Sequence, residues 1–158
     1  MKWAFISGGL FLLVLVSLFF WLKYGKLSEP LRVGQIKIDN QVINVEIADT
    51  MFSRERGLSG RDGLALDQGM LFVFPMASRT GFWMKDMKFP LDLVWIEGDR
   101  VVGVSSQVYP EPGVSMWNLK IYYPPQAVST VLEVPAGVAT LYGWKEGSVV
   151  TFPVSGVQ

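Results

Sequence analysis

The chain contains neither cysteine nor histidine among its 158 residues. Without cysteine, a disulfide, a thiolate nucleophile and an iron–sulfur cluster are excluded. Without histidine, a Ser-His-Asp triad and an ordinary zinc or copper site are excluded as well. The sequence also lacks the Gly-rich fingerprints that bind phosphate groups. We therefore expect no metal and no cofactor.

Positive charge is also scarce in most of the chain. From Val33 onward there are 10 Lys and Arg residues against 13 Asp and Glu residues, which gives this part a net charge of about −3. Proteins that bind nucleic acid usually carry a strongly basic surface. The sequence therefore predicts no nucleic-acid partner.

One long uncharged run stands near the N-terminus. Trp3–Leu22 spans 20 residues without a charge, which is long enough to cross a bilayer as a helix. A cleaved signal peptide is the alternative, but its apolar part is shorter and ends in small residues. We predict an uncleaved single-pass anchor over residues 1–24, a linker over 25–32 and a domain over 33–154. The domain is expected on the extracytoplasmic side of the cell membrane.

Short β-branched runs separated by turn residues dominate the rest of the chain. They predict a mainly β fold (a β-rich α+β domain), with a small, mostly antiparallel curled sheet or barrel and two short helices. The predicted strands are Val33–Ile38, Gln41–Ile47, Gly69–Phe74, Thr80–Lys85, Leu91–Ile96, Val101–Val108, Ser129–Val134 and Val149–Phe152.

Two segments have the end signals of short helices. Asp49 and Thr50 can cap a helix over Met51–Leu58, and Pro135 and Gly143 frame a second helix that ends at Tyr142. Residues 109–126 are rich in proline and carry four aromatic side chains, so we predict a long loop there.

Several motifs resemble an uncharacterised family, domain of unknown function family 192. The matching segments are Glu55-Arg56-Gly57-Leu58, Gly69-Met70-Leu71-Phe72-Val73-Phe74, Phe82-Trp83-Met84-Lys85, Pro90-Leu91-Asp92 and the stretch from Leu132-Glu133 to Gly143. The resemblance covers about Ile36 to Val150. It implies a small β-rich domain, often behind a secretory signal or an anchor. It implies no biochemical activity.

Strand alternation singles out Lys85 and Asp92. In the predicted strands, Trp83 shares a face with Lys85, and Asp92 shares a face with Val94. If the two strands form a hairpin through residues 86–91, Lys85 lies opposite Asp92. One interpretation is a structural ion pair that fixes the register. The other is the rim of a ligand site, with Trp83 as a stacking surface.

The candidate ligand-binding residues extend beyond this pair. An arginine near the first helix can bind an anion, and the aromatic side chains of the 109–126 loop can cover the site or contact a partner. The full candidate set is Arg61, Trp83, Lys85, Asp86, Asp92, Trp117, Tyr122 and Tyr123. No catalytic residue is assigned.

These features favour a membrane-anchored envelope domain that binds a small molecule, a glycan or a protein without catalysis. A lysine beside a carboxylate stays protonated, which argues against a nucleophilic Lys85. One alternative is an envelope hydrolase that acts on glycan with two carboxylates, Asp86 and Asp92. Another is a structural accessory subunit of a membrane complex.

Overall fold

The computed structural model describes residues 30–152. The predicted anchor over residues 1–24 and most of the predicted linker lie outside the described residues. Among residues 30–152, no helix has the length and apolar character needed to cross a membrane.

A mixed sheet of seven strands forms the framework of residues 30–152. The strands are β1 (Arg32–Ile38), β2 (Gln41–Ala48), β3 (Gln68–Ser78), β4 (Leu91–Glu97), β5 (Arg100–Val108), β6 (Val128–Pro135) and β7 (Val150–Thr151). Their order across the sheet is β5-β4-β6-β3-β2-β1-β7. Neighbouring strands are antiparallel, with the exception of the parallel pair β2 and β3. The prediction of a mainly β, mostly antiparallel sheet is confirmed.

The sheet curls until its two edges meet. β7 pairs with β1, while the residues around β7 contact β5 on the opposite edge. The Val150 N–H donates to the Asp99 carbonyl at 2.8 Å, and the Val101 N–H donates to the Ser148 carbonyl at 3.0 Å. These bonds satisfy backbone groups that an open sheet would leave unpaired.

Short helices lie at the ends of the sheet. Helix α1 (Met51–Arg56) begins after Thr50, whose side chain accepts a hydrogen bond from the Ser53 N–H, and ends at Gly57 with φ of 50°. Helix α2 (Val138–Leu141) follows Gly137, which has φ of 92°. Both helices were predicted, although each is shorter than its sequence pattern suggested. Residues 109–126 form the predicted long loop, with one 3₁₀ turn.

Apolar side chains cover both faces of the central strands. The inner face encloses one core, to which β1, β2 and β7 also contribute. The outer face of β3, β4 and β6 carries a second core, which is covered by Leu58 and by the 80–91 segment. The candidate site described below lies in this outer layer.

The predicted strand at Thr80–Lys85 is wrong. In this segment only Phe82 forms a β-bridge, and its partner is Tyr122 of the long loop. The expected hairpin with β4 is therefore wrong too, because β4 is flanked by β5 and β6. Phe82 and Met84 instead insert their side chains into the outer core.

Candidate functional site

A concave pocket opens between α1 and the 80–87 segment. Its volume is about 300 Å³. We call this cavity the aromatic pocket. One buried polar residue, Glu133, lines it. Its apolar lining consists of Leu58, Phe72, Phe74, Phe82, Trp83 and Met87.

Aromatic rings form much of the wall. Phe82 meets Phe72 edge to face at a centroid distance of 5.1 Å, and it meets Phe74 at 6.3 Å. On its other side Phe82 packs against Trp95 of β4 at 5.5 Å. Such edge-to-face contacts add to the stability gained from burial alone. These contacts hold the rings of the wall in position.

Glu133 is a buried carboxyl without a partner among residues 30–152. It lies in β6 between Met70 of β3 and Leu93 of β4, and its side chain shares the outer face with them. Only 6% of the residue is exposed. Within the described residues, no hydrogen bond or ion pair reaches the carboxyl group. Burial raises the pKa of Glu133 to about 8, since desolvation disfavours the charged form.

Charged residues of α1 surround the mouth of the pocket. The Arg54 guanidinium donates to the carbonyls of Asp49 at 2.5 Å and Val73 at 2.8 Å. Its central carbon also lies 5.1 Å from the centroid of the Phe74 ring. Glu55 and Arg56 are exposed. Arg54 is thus held at the wall by the protein itself, while the other two charges remain in water.

The expected ion pair between Lys85 and Asp92 is wrong. Asp92 is 0% exposed, and its carboxylate accepts backbone N–H groups from Gln107 at 2.8 Å and from Gly137 and Ala139 at 2.9 Å. One donor near the end of β5 and two at the start of α2 satisfy this charge without a lysine. The Lys85 side chain is 42% exposed, and its ion pair within residues 30–152 is a loose one with Asp86 at 3.9 Å.

Among the other predicted residues, only Trp83 lines the aromatic pocket, with 46% of its surface exposed. Lys85 and Asp86 line two separate depressions beside it. Their backbone is joined to the pocket wall, because the Ser59 hydroxyl donates to the Lys85 carbonyl at 2.9 Å. These two residues therefore border the site and do not enter it.

Arg61 lies apart from the aromatic pocket. Its guanidinium forms a two-pronged ion pair with Glu46, with both distances at 2.6 Å. The hydrogen bonds from Arg61 hold the pKa of Glu46 below its ordinary value. A guanidinium engaged in this way is already paired, so the structure does not offer it as an anion site.

The three aromatic candidates of the 109–126 loop do not converge on one point. Tyr122 is half-buried beside Phe82, and Lys120 lies 4.6 Å from the centroid of its ring. Tyr123 is exposed, and Trp117 is 84% exposed. The loop therefore contributes Tyr122 to the packing behind the aromatic pocket and leaves Trp117 in solvent.

Glu133 was missed as a site residue, although the sequence carried a signal for it. It is the only charge in the predicted strand Ser129–Val134. Its apolar neighbours on both sides indicate a strand that is buried on both faces. An acid within such a strand lies in an apolar layer, where its charged form is disfavoured.

The family assignment follows from a family model. The model of the family described as "Uncharacterized ACR", DUF192, matches residues 34–152. A search of curated proteins finds no significant match.

Two crystal structures share the fold. One is a candidate transcription regulator from Sinorhizobium meliloti 1021, with a TM-score of 0.71, 24% identity, and coverage of 79% of this chain and 97% of that one. The other is a protein of unknown function from Novosphingobium aromaticivorans DSM 12444, with a TM-score of 0.70 and 23% identity. That match covers 82% of this chain and 96% of the other. At such identities the similarity shows the fold alone. By the match to the family model, the chain belongs to domain of unknown function family 192.

Proposed function

We propose that the domain is a non-catalytic binding module, and that it holds a small molecule with an apolar body in the aromatic pocket. The observation that carries this proposal is the Glu133 carboxyl, which is buried at the pocket without a partner among the described residues. A buried polar group without a partner costs free energy. A ligand that supplies the missing partner would offset this cost.

The shape and lining of the cavity support the same proposal. Small-molecule sites are usually concave and mostly apolar, with a few polar groups that fix the orientation of the ligand. The aromatic pocket matches this description, with one buried acid among rings and a volume of about 300 Å³. Trp83 stands at its edge, where its half-exposed indole can cover a bound molecule.

A two-carboxylate hydrolase has less support. The predicted pair was Asp86 and Asp92, but both oxygens of Asp92 are occupied by backbone N–H groups. A catalytic carboxylate must reach the reacting bond or its attacking water. The fully buried Asp92 does not reach solvent.

Binding of a neutral fluorescent dye, N-phenyl-1-naphthylamine, tests the proposed site. We expect one dye molecule per chain and a saturable rise in fluorescence. The Thr80→Trp variant places a large ring at the pocket mouth, at an exposed position, and should abolish dye binding. The matched control, Thr140→Trp, makes the same change at an exposed position of α2 and should leave binding intact. Equal dye binding by both variants would show that the aromatic pocket is not the site.

We also propose that the first 24 residues anchor the domain to the cell membrane, with the domain on the extracytoplasmic side. The support is the uncharged run Trp3–Leu22 and the linker that follows it. A full-length chain should sediment with membranes and resist extraction by alkaline carbonate. In right-side-out vesicles, external protease should digest the domain. A soluble chain, or a domain protected until the vesicles are opened, would contradict the proposal.

A further inference from the structure

Building on the proposed ligand site, we infer that the ligand is an organic cation. Its ammonium group would pair with the Glu133 carboxylate, while its carbon substituents contact the rings of the aromatic pocket. The inference goes beyond pocket binding because it assigns the ligand a charge and its charged group a place.

The distribution of charge in the pocket favours a cation. Four charged residues line the cavity, namely Arg54, Glu55, Arg56 and Glu133, and Glu133 alone among them is buried. The strand positions on either side of it, Met70 and Leu93, carry no charge. A positive ligand group would therefore meet an unpaired acid in a site of low dielectric, where the attraction is strong.

The aromatic wall favours the same class of ligand. Ring faces attract cations, and sites for quaternary ammonium groups commonly combine several rings with an acid. The pocket already contains one such contact, because the Arg54 guanidinium lies over the face of Phe74. The rings of Phe72 and Phe82 are also in the lining and can contact a second cation that reaches Glu133.

An anionic ligand has weaker support. Its charge would lie against Glu133, and above about pH 8 that carboxyl has lost its proton and repels an anion. The nearest guanidinium, that of Arg54, is half-buried, and its Nη1 atom donates to the carbonyls of Asp49 and Val73. Arg56 is exposed outside the buried part of the pocket. No buried positive group among the lining residues is thus available to pair with an anion.

Three probes of similar shape and different charge test the inference. They are choline, its neutral analogue 3,3-dimethylbutan-1-ol and the anion 3,3-dimethylbutanoate, each used to displace N-phenyl-1-naphthylamine from the full chain in detergent. At pH 8.5 we expect choline to displace the dye at a concentration at least about tenfold lower than either analogue, since an ion pair in a desolvated site is strong.

The Glu133→Gln variant removes the charge and keeps the size of the side chain. We expect it to keep a single cooperative unfolding transition in urea, which shows that it is folded, and to release bound dye to choline no more readily than to 3,3-dimethylbutan-1-ol. The control Glu146→Gln removes an exposed acid away from the pocket and should keep the preference.

The pH dependence adds an independent measurement. Choline does not titrate, so any change in its affinity reports a group on the protein. Because Glu133 must release its proton to form the ion pair, the dissociation constant should fall about tenfold between pH 6 and pH 7 and level off above pH 8. In Glu133→Gln the profile should be flat.

The failures of the two proposals are distinguishable. The inference of a cationic ligand is wrong if 3,3-dimethylbutanoate displaces the dye best, if the three probes act equally or not at all, or if Glu133→Gln still prefers choline. None of these results contradicts the aromatic pocket as the ligand site. If Thr80→Trp leaves dye binding unchanged, the pocket itself is wrong.

Discussion

Asp92 and Glu133 are two buried acids on adjacent strands with opposite surroundings. Asp92 in β4 pairs across the ladder with Val134, and Glu133 in β6 pairs with Leu93, so the two side chains point to opposite faces of the sheet. On the inner face Asp92 accepts three backbone N–H groups. On the outer face Glu133 has no such partner among the described residues.

The contrast shows that burial of a charge does not by itself mark a functional residue. Asp92 fixes the start of α2 and the end of β5, and this structural role accounts for all of its hydrogen bonds. Glu133 ties no elements together in the described structure. A group that costs stability and makes no structural contact is the better candidate for binding.

The largest effect on stability is expected at Asp92, whose carboxylate has three hydrogen-bond partners. In Asp92→Asn, an amide replaces one accepting oxygen with a donor that faces backbone N–H groups. We expect the free energy of unfolding in urea at pH 7 to fall by roughly 4 kcal/mol, because charged hydrogen bonds are lost in a buried site. A loss below about 1 kcal/mol would mean that Asp92 is not the structural acid of the two.

An effect of opposite sign is expected at Glu133. Its raised pKa means that the folded chain holds the proton more tightly than the unfolded chain, so stability is highest below the ordinary value of 4.5 and falls as the pH rises through about 8. Glu133→Gln does not titrate there. At pH 8 we expect this variant to be more stable than the natural chain by roughly 2 kcal/mol, with the difference vanishing near pH 4. Urea titrations at both pH values measure it.

The smallest effect is expected at Lys85, which offers an exposed charge for comparison with the two buried ones. Its 3.9 Å ion pair with Asp86 lies in solvent. We expect Lys85→Met to change the free energy of unfolding by less than about 0.5 kcal/mol. A loss of 2 kcal/mol would instead support the ion pair between Lys85 and the buried Asp92 that the sequence suggested.

Local signals in the sequence predicted much of the framework. The Asp39-Asn40 turn lies between β1 and β2 as expected, and Thr50 caps α1. Such features depend on neighbouring residues alone, so a single sequence contains the information for them. Alternation also placed Asp92 correctly on the face of Val94.

The pairing of strands that are distant in sequence was not predictable from such local signals. Trp83 lines the aromatic pocket, but Lys85 and Asp92 were paired through a hairpin that does not exist. β4 pairs with β6, which lies more than thirty residues away in sequence, and the loops between them fix which acid meets which donor. Glu133 was not selected because the pocket that it lines also needs Phe72, Phe74 and Phe82, and Phe72 and Phe74 lie about sixty residues before it in the sequence.

The closure of the sheet has a consequence for how the domain avoids aggregation. Within residues 30–152, β1 and β5 are joined through residues 147–151. If this short segment detaches, both edge strands expose unpaired backbone N–H and C=O groups, and such edges pair readily with other chains. Local opening of residues 147–151 is therefore enough to turn a closed sheet into one with two exposed edges.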